Sequence, residues 1–403
     1  MSSPSAGRAL RALLPALANK IYFNYGGQGP LPEPSLLAIE HCFRAIQELG
    51  PFSEAVWPLV SRTCESLRAR LGSRAWLGVG PRRLAFTENV TSGCVLPLWG
   101  LPWQAGDQLL LSDAEHPGVV AACRELAVRQ GLELASFAVA DLDADAATTA
   151  ELLLQRLDQA LTPRTRLVVL SHLLWNSGQL MPIVAVAERL ATHRRQPWLL
   201  VDAAQSLGSI PVADAAAAAD IYACTGHKWC GGPEGLGVVA VSERLLEQAS
   251  PTLIGWRSLA EESQGSSGFH RDARRFEVAT SCIPLFAGLD CSLQLLEAEG
   301  SAEQRLAVIR AASARLWHGL QVIPGLCSRL RQEPPAGLVS FRPSDPTGPD
   351  PGSLLHSLSE RRFCLRVLDQ PLWLRACVHI TTELEEIDQL LENLAVLLEQ
   401  SPC

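Results

Sequence analysis

The sequence predicts an α/β protein: a large unit built on a mainly parallel seven-stranded sheet between helices, followed by a smaller α+β unit. Three observations predict it. Seven short apolar runs recur at 83–87, 108–112, 132–138, 166–172, 198–202, 221–225 and 236–241, and helical stretches separate most of them. Continuous apolar strands alternating with helices indicate a buried parallel sheet covered on both faces. The chain has 403 residues, more than one compact core serves. After residue 284 long helices alternate with only a few strands. The expected division is an arm at 1–33 packing with the small domain, a large domain at 34–283 and a small domain at 284–403.

Taken in order, the arm carries Arg8 and Arg11 ahead of Leu13-Leu14-Pro15-Ala16-Leu17, with Lys20 close behind. This apolar run is short and proline-broken, so it reads as a surface arm and not a signal peptide. Tyr22-Phe23-Asn24-Tyr25 is a short strand that breaks at Gly26-Gly27-Gln28-Gly29-Pro30. A helix is expected at 34–49. Beyond the seven strands, residues 256–281 read as a mobile excursion, with Gln264-Gly265-Ser266-Ser267-Gly268 and three arginines within Arg271–Arg275. Thr382 and Glu385 have capping-box spacing ahead of a final amphipathic helix.

Composition excludes several classes. Hydrophobic residues make up 47% and charged residues 19% of the chain, with a net charge of −8. That is a globular composition and argues against a broad nucleic-acid surface. No apolar run approaches the ~20 residues of a membrane span. None of the twelve cysteines forms a C-x-x-C pair, so metal spacing is absent and a reduced, cytoplasmic setting is expected. Gly231-Gly232-Pro233-Glu234-Gly235-Leu236-Gly237 precedes a strand. A dinucleotide fingerprint would open a helix.

Ligands in open α/β sheets bind at the C-terminal ends of the strands. Five such ends carry polar residues. Val90-Thr91-Ser92 opens a helix, where free N–H groups favour an anion such as phosphate. His116 follows the second run and could stack on a flat ring or move protons. Asn176 offers a donor and an acceptor. Asp202 ends a buried strand and needs a cation or donors, which a pyridinium nitrogen would supply. Lys228, in Thr225-Gly226-His227-Lys228, is flanked by apolar residues and glycines, a setting that lowers an amine's pKa for imine chemistry. Each has a plain alternative: a helix cap, a packed histidine, a turn asparagine, a capping or metal-binding aspartate, a solvated lysine.

Their ordered co-occurrence resembles the class V aminotransferase family of fold-type I pyridoxal phosphate (PLP) enzymes, from Asn24 to the final helix. The resemblance implies a Schiff base on Lys228, Asp202 on the pyridine nitrogen and Gln205 on the ring hydroxyl. It also implies His116 on the ring face, and Val90, Thr91, Thr225 and His227 at the phosphate. Asn176 would contact the ring hydroxyl or the substrate carboxylate. Thr280 would reach the phosphate of a neighbouring subunit, giving a homodimer with a shared site. Arg375 resembles the family's carboxylate arginine and Arg366 a second one nearby. Two arginines suit a substrate with two carboxylates, such as cystine.

Family desulfurases place a nucleophilic cysteine just after the position of Arg366. Here the stretch reads Val367-Leu368-Asp369-Gln370-Pro371-Leu372-Trp373, without one. Cys364 lies before the arginine and Cys377 within the following apolar strand. Together with Asn24-Tyr25-Gly26-Gly27, Trp175-Asn176, Gly255-Trp256-Arg257-Ser258 and Arg375-Ala376-Cys377, this resembles the cyanobacterial cystine/cysteine C–S lyases. The implied reaction is β-elimination of L-cystine, and more slowly of L-cysteine, with sulfur passing to an acceptor protein, in iron–sulfur cluster supply for example. The rivals are a cysteine desulfurase or selenocysteine lyase, an aminotransferase or epimerase of the family, an NAD-binding protein, and a silent binding partner.

Overall fold

The computed structural model describes residues 7–261, 268–345 and 348–399. Thirteen strands are present among them. The large sheet holds β2 (Leu84–Thr87), β3 (Gln108–Ser112), β4 (Glu133–Phe137), β5 (Thr165–Ser171), β6 (Trp198–Asp202), β7 (Ile221–Thr225) and β8 (Gly237–Val241). Its order is β2-β8-β7-β6-β5-β3-β4. Strand β8 runs antiparallel to β2 and β7, and the other pairs are parallel. The seven strands lie where the apolar runs predicted them.

Strand side chains alternate between faces, and here each face owns a core. Leu109, Leu111, Leu167, Val169, Trp198 and Leu200 pack into one. Leu110, Val168, Leu170, Leu199 and Val201 pack into the other. Burial on both sides explains why these runs are continuously apolar.

The smaller unit holds β9 (Leu326–Ser328), β10 (Leu338–Pro343), β12 (Arg366–Asp369) and β13 (Leu372–Cys377) in an antiparallel sheet ordered β12-β13-β10-β9. The N-terminal segment returns to it. Strand β1 (Ile21–Tyr22) pairs in parallel with β11 (Phe363–Cys364). Phe23 is fully buried in the small-unit core, and Arg11 holds Glu386 through Nη1 and Nη2 at 2.9 and 2.8 Å.

One local expectation is corrected. The Thr382–Glu385 capping box does not form. The Thr382 hydroxyl accepts the His379 N–H at 3.0 Å, and it is Glu386 that accepts the Glu383 N–H, at 3.0 Å, ahead of helix Leu384–Glu399. The pairing slides by one residue because Arg11 draws Glu386 to that end. Within the excursion expected at 256–281, Arg275 and Glu277 are tied to the large unit. Arg275 donates to the carbonyls of Leu246 and Ala249, each at 2.9 Å. Glu277 accepts from the Phe86 N–H at 3.0 Å and from Arg68 at 2.6 Å. Residues 262–267, with most of the Gln264–Gly268 run, lie outside the described residues.

Two buried histidines predict an acid sensitivity. His172 meets the Tyr222 hydroxyl at 2.7 Å and His379 stacks on Tyr25 at 4.2 Å between ring centroids. Burial pushes both pKa values down to about 3. The unfolded chain therefore binds protons first as pH falls through 6.5, and stability drops over the window from 6.5 toward 3. The expected loss is about 2 kcal/mol per histidine between pH 6.5 and 5. Urea midpoints at the two pH values check this, and His379→Gln is expected to lose less over the same interval.

Candidate active site

Parallel strands end on one edge of the sheet, and the chemistry gathers there. The helix Val90–Trp99 follows β2, two strands away from β7. It nevertheless lies across the middle of the sheet, with Gly93 so close that a Cβ would sit 3.1 Å from the Ala223 Cβ. Asn89 caps this helix by accepting the Ser92 N–H at 2.9 Å. The cap is therefore Asn89, and Thr91 stays exposed with its hydroxyl available. The helix dipole and the first-turn N–H groups make this end ready for an anion.

Asp202 ends β6, 5% exposed, and its Oδ1 accepts the Ala204 N–H at 2.9 Å. Lys228 follows β7 in a half-buried position. Burial brings its pKa down to about 8. Asp202 opposes that shift, while Arg375 and Arg366 add to it. His116 caps helix Pro117–Gln130, accepting the Gly118 N–H on Nδ1 at 3.2 Å, and lies edge-on to Trp175 with ring centroids 5.4 Å apart. Burial lowers its pKa, Asp202 raises it, and Lys228, Arg366 and Arg375 lower it further. Lys228, Asp202, His116, Arg366 and Arg375 thus share one electrostatic neighbourhood, although the chain separates them widely.

Thr225 Oγ1 and His227 Nδ1 are 2.7 Å apart, which leaves the His227 Nε2 free of that contact. Gln205 is already engaged. Its Oε1 accepts from Trp229 Nε1 and its Nε2 donates to the Gly26 carbonyl, both at 2.9 Å, so one amide N–H remains for another acceptor. The arm approaches so closely here that a Cβ on Gly29 would sit 2.1 Å from the Lys228 carbonyl oxygen.

The small unit supplies the arginines. Arg375 on β13 pairs in register with Arg366 on β12, so both side chains leave the same face. Arg366 is exposed. Arg375 is 2% exposed, and its Nη1 donates to the Trp175 carbonyl at 2.8 Å. Ser340 Oγ donates to the Asn176 carbonyl at 2.7 Å, so the loop carrying Asn176 is docked against the same sheet. Thr280 stands apart. It is exposed on a cleft with Thr87, Glu88, Gly235 and Leu285.

Buried polar atoms on this edge without a hydrogen-bond partner among the described residues include Arg375 Nε, Arg375 Nη2, Asn24 Oδ1 and Trp175 Nε1. Buried polar groups normally find partners, so these atoms remain available to a ligand at this edge. An amine of lowered pKa, a buried carboxylate, an anion-ready helix end and a buried guanidinium with free donors fit an aromatic, phosphorylated aldehyde and an amino-acid carboxylate. Two residues of this edge were not among those expected in the site. Asn24 gave no signal beyond its turn. Glu115 precedes His116, and the argument applied to Asp202, a carboxylate at the end of a buried strand, would have found it.

The class V aminotransferase family model matches residues 58–390. Isopenicillin N epimerase of Streptomyces clavuligerus is 30% identical over 405 residues, spanning 94% of each chain. A probable cysteine desulfurase of Pseudomonas aeruginosa is 30% identical over 315 residues, 76% of this chain and 73% of its own. Among solved structures, the cystine C–S lyase C-DES in complex with its reaction product cysteine persulfide aligns with a TM-score of 0.88. That pair is 41% identical over 95% of this chain and 99% of the other. A C-DES mutant with glycine covalently linked to its PLP cofactor aligns with a TM-score of 0.89 at 40% identity, over 96% and 99% of the two chains. The strand-end lysine, aspartate and histidine on this sheet thus belong to a PLP-dependent enzyme, and the chain is a member of the class V aminotransferase family.

Proposed function

We propose that this enzyme is a C–S lyase that cleaves L-cystine, and more slowly L-cysteine, by β-elimination. The observation that carries the reading is the β12–β13 hairpin. Between the paired Arg366 and Arg375 the chain turns back at once, from Asp369 to Leu372, with no cysteine in the turn. A desulfurase needs a nucleophilic thiol there to receive sulfur. Cys377 is fully buried and Cys364 precedes the hairpin, and a buried thiol is ordinarily inert. Sulfur therefore leaves with the product.

Lys228 would hold PLP as an imine through Nζ, Asp202 would accept the ring N–H, and His116 would cover the ring face. Gln205 and Asn176 would address the ring hydroxyl, with Val90, Thr91, Thr225 and His227 at the phosphate. Bound there, the cofactor supplies an aldehyde for the substrate amine and a protonated ring that accepts an electron pair. Arg375 Nε and Nη2 hold the substrate α-carboxylate, and Arg366 takes the distal carboxylate of cystine. The Lys228 Nζ, its pKa lowered by burial, removes the α-proton. The β C–S bond then breaks. A persulfide leaves more readily than an alkyl thiolate because its conjugate acid is stronger. Cystine and water yield pyruvate, ammonia and cysteine persulfide, whose sulfur we expect an acceptor protein to take up for iron–sulfur clusters.

A second copy would complete the site. Phe52 is 73% exposed, with its ring 5.0 Å from Trp57, which lies 6.2 Å from the half-covered Trp256. Leu253 and Ile254, close to Trp256 in sequence, are also exposed, and we expect a homodimer covering these residues to let Thr280 reach the partner's phosphate. The cysteines among the described residues are all free, which supports a cytoplasmic setting. No described helix is long and apolar enough to cross a membrane.

The test is product analysis with L-cystine. Pyruvate with cysteine persulfide is expected, and alanine with enzyme-bound persulfide would establish a desulfurase instead. The epimerase relative favours a second reading, in which the α-proton exchanges in deuterated water while the sulfur stays on the substrate.

A further inference from the structure

Glu115 has no part in the chemistry described above, yet it is built into the same edge. It is 6% exposed, in the turn between β3 and His116. Its Oε1 accepts from the Ser112 hydroxyl at 2.5 Å and from the Ser171 N–H at 2.8 Å. Its Oε2 accepts from the Ser171 hydroxyl at 2.7 Å. Both serines are strand-end residues and both are 3% exposed. Ser171 is the register partner of Asp202 on the adjacent strand. The Glu115 and Asp202 carboxyl groups therefore flank the end of β5, with Ser171 bonded to the first and in register with the second.

We propose that Glu115 is a positioning residue for this enzyme: it acts through Asp202, as a second buried carboxyl whose ionisation adjusts the charge presented to the cofactor ring. The inference rests on the cofactor sitting at these strand ends and not on which sulfur substrate is cleaved. Burial pushes the Glu115 pKa up to about 7, the serine hydrogen bonds oppose that shift, and the negative charge of Asp202 adds to it. Other titratable groups facing it are the thiols of Cys94, on helix Val90–Trp99, and Cys123, on helix Pro117–Gln130. Both are pushed up by burial, Cys94 well above its ordinary value and Cys123 to about 12. They stay neutral where Glu115 titrates. His116, next in the chain, is exposed to the cleft. A cationic ring on Asp202 favours the ionised Glu115, so its transition in the holoenzyme falls at or below neutral pH. Ionised Glu115 in turn favours the protonated ring.

The experiment is a pH titration of the bound cofactor's absorbance in the wild-type holoenzyme, Glu115→Gln and Ser171→Ala, with PLP content and melting temperature measured alongside. The wild type is expected to show a spectral step at or below neutral pH. Glu115→Gln keeps the hydrogen-bonding shape and removes the charge, and the step is expected to vanish. Ser171→Ala removes one donor to the carboxylate, and the step is expected to move up by about one pH unit. A Glu115→Gln profile that superposes on the wild type, at full PLP content, would overturn the proposal and assign the step to His116 or the imine. Should Glu115→Gln not fold or not hold the cofactor, Ser171→Ala decides: an upward shift supports the proposal and an unmoved step overturns it.

Discussion

Lys228→Ala is expected to lower turnover of L-cystine by at least about 10⁴-fold while leaving the fold intact. The variant loses both the amine that would bind the cofactor aldehyde and the group that would take the α-proton. Borohydride treatment followed by mass spectrometry is expected to fix the cofactor to the wild-type chain and not to the variant. Loss of stability would be a trivial route to the same inactivity, and the sign of the lysine's pKa shift separates the two. Burial lowers that pKa to about 8 from an ordinary 10.5, so below pH 8 the folded protein carries a desolvated ammonium that opposes folding. Alanine removes this cost, and the ligand-free variant is expected to melt at or above the wild type. An active variant would move the imine to another lysine. An inactive variant that melts far below the wild type would leave the catalytic assignment without support.

Arg375→Lys is expected to reduce kcat/KM by roughly 10²-fold or more, chiefly through KM. The guanidinium is almost fully buried, with one nitrogen on the Trp175 carbonyl and two others unpartnered among the described residues. Lysine retains the charge and loses the planar fork that meets a carboxylate with two parallel bonds. Arg366 is exposed on the same face of the hairpin. Arg366→Gln is therefore expected to cost about tenfold with cystine, whose second carboxylate it would meet, and little with cysteine, which has none. Steady-state kinetics with both substrates check the pair. Equal losses on the two substrates for Arg366→Gln would remove the distal-carboxylate role and leave Arg375 unaffected.

Much of this enzyme was legible before folding. The seven apolar runs marked the sheet because a strand buried on both faces has no polar alternation. Asp202, His116 and Lys228 could be placed on one edge because parallel strands point the same way, so residues that follow them meet whatever their distance in sequence. The capping box failed because its competitor, Arg11, comes from the other end of the chain. Asn24 was missed because an asparagine in a Gly-rich turn looks like any other until its buried oxygen is seen without a partner.

The sequence by itself determined which chemical groups exist and in what order the strands present them, since both follow from residue identity and local periodicity. Tertiary structure alone decided which groups act on one another. Helix Val90–Trp99 crosses from the β2 end of the sheet to its middle, and the β12–β13 register sets Arg366 beside Arg375. Glu115 and Asp202 come to flank Ser171 because β5 sits between β3 and β6. The physical reason is range: propensity and periodicity act over a few residues, whereas burial, charge coupling and an orphaned hydrogen bond depend on segments that meet only when the core closes.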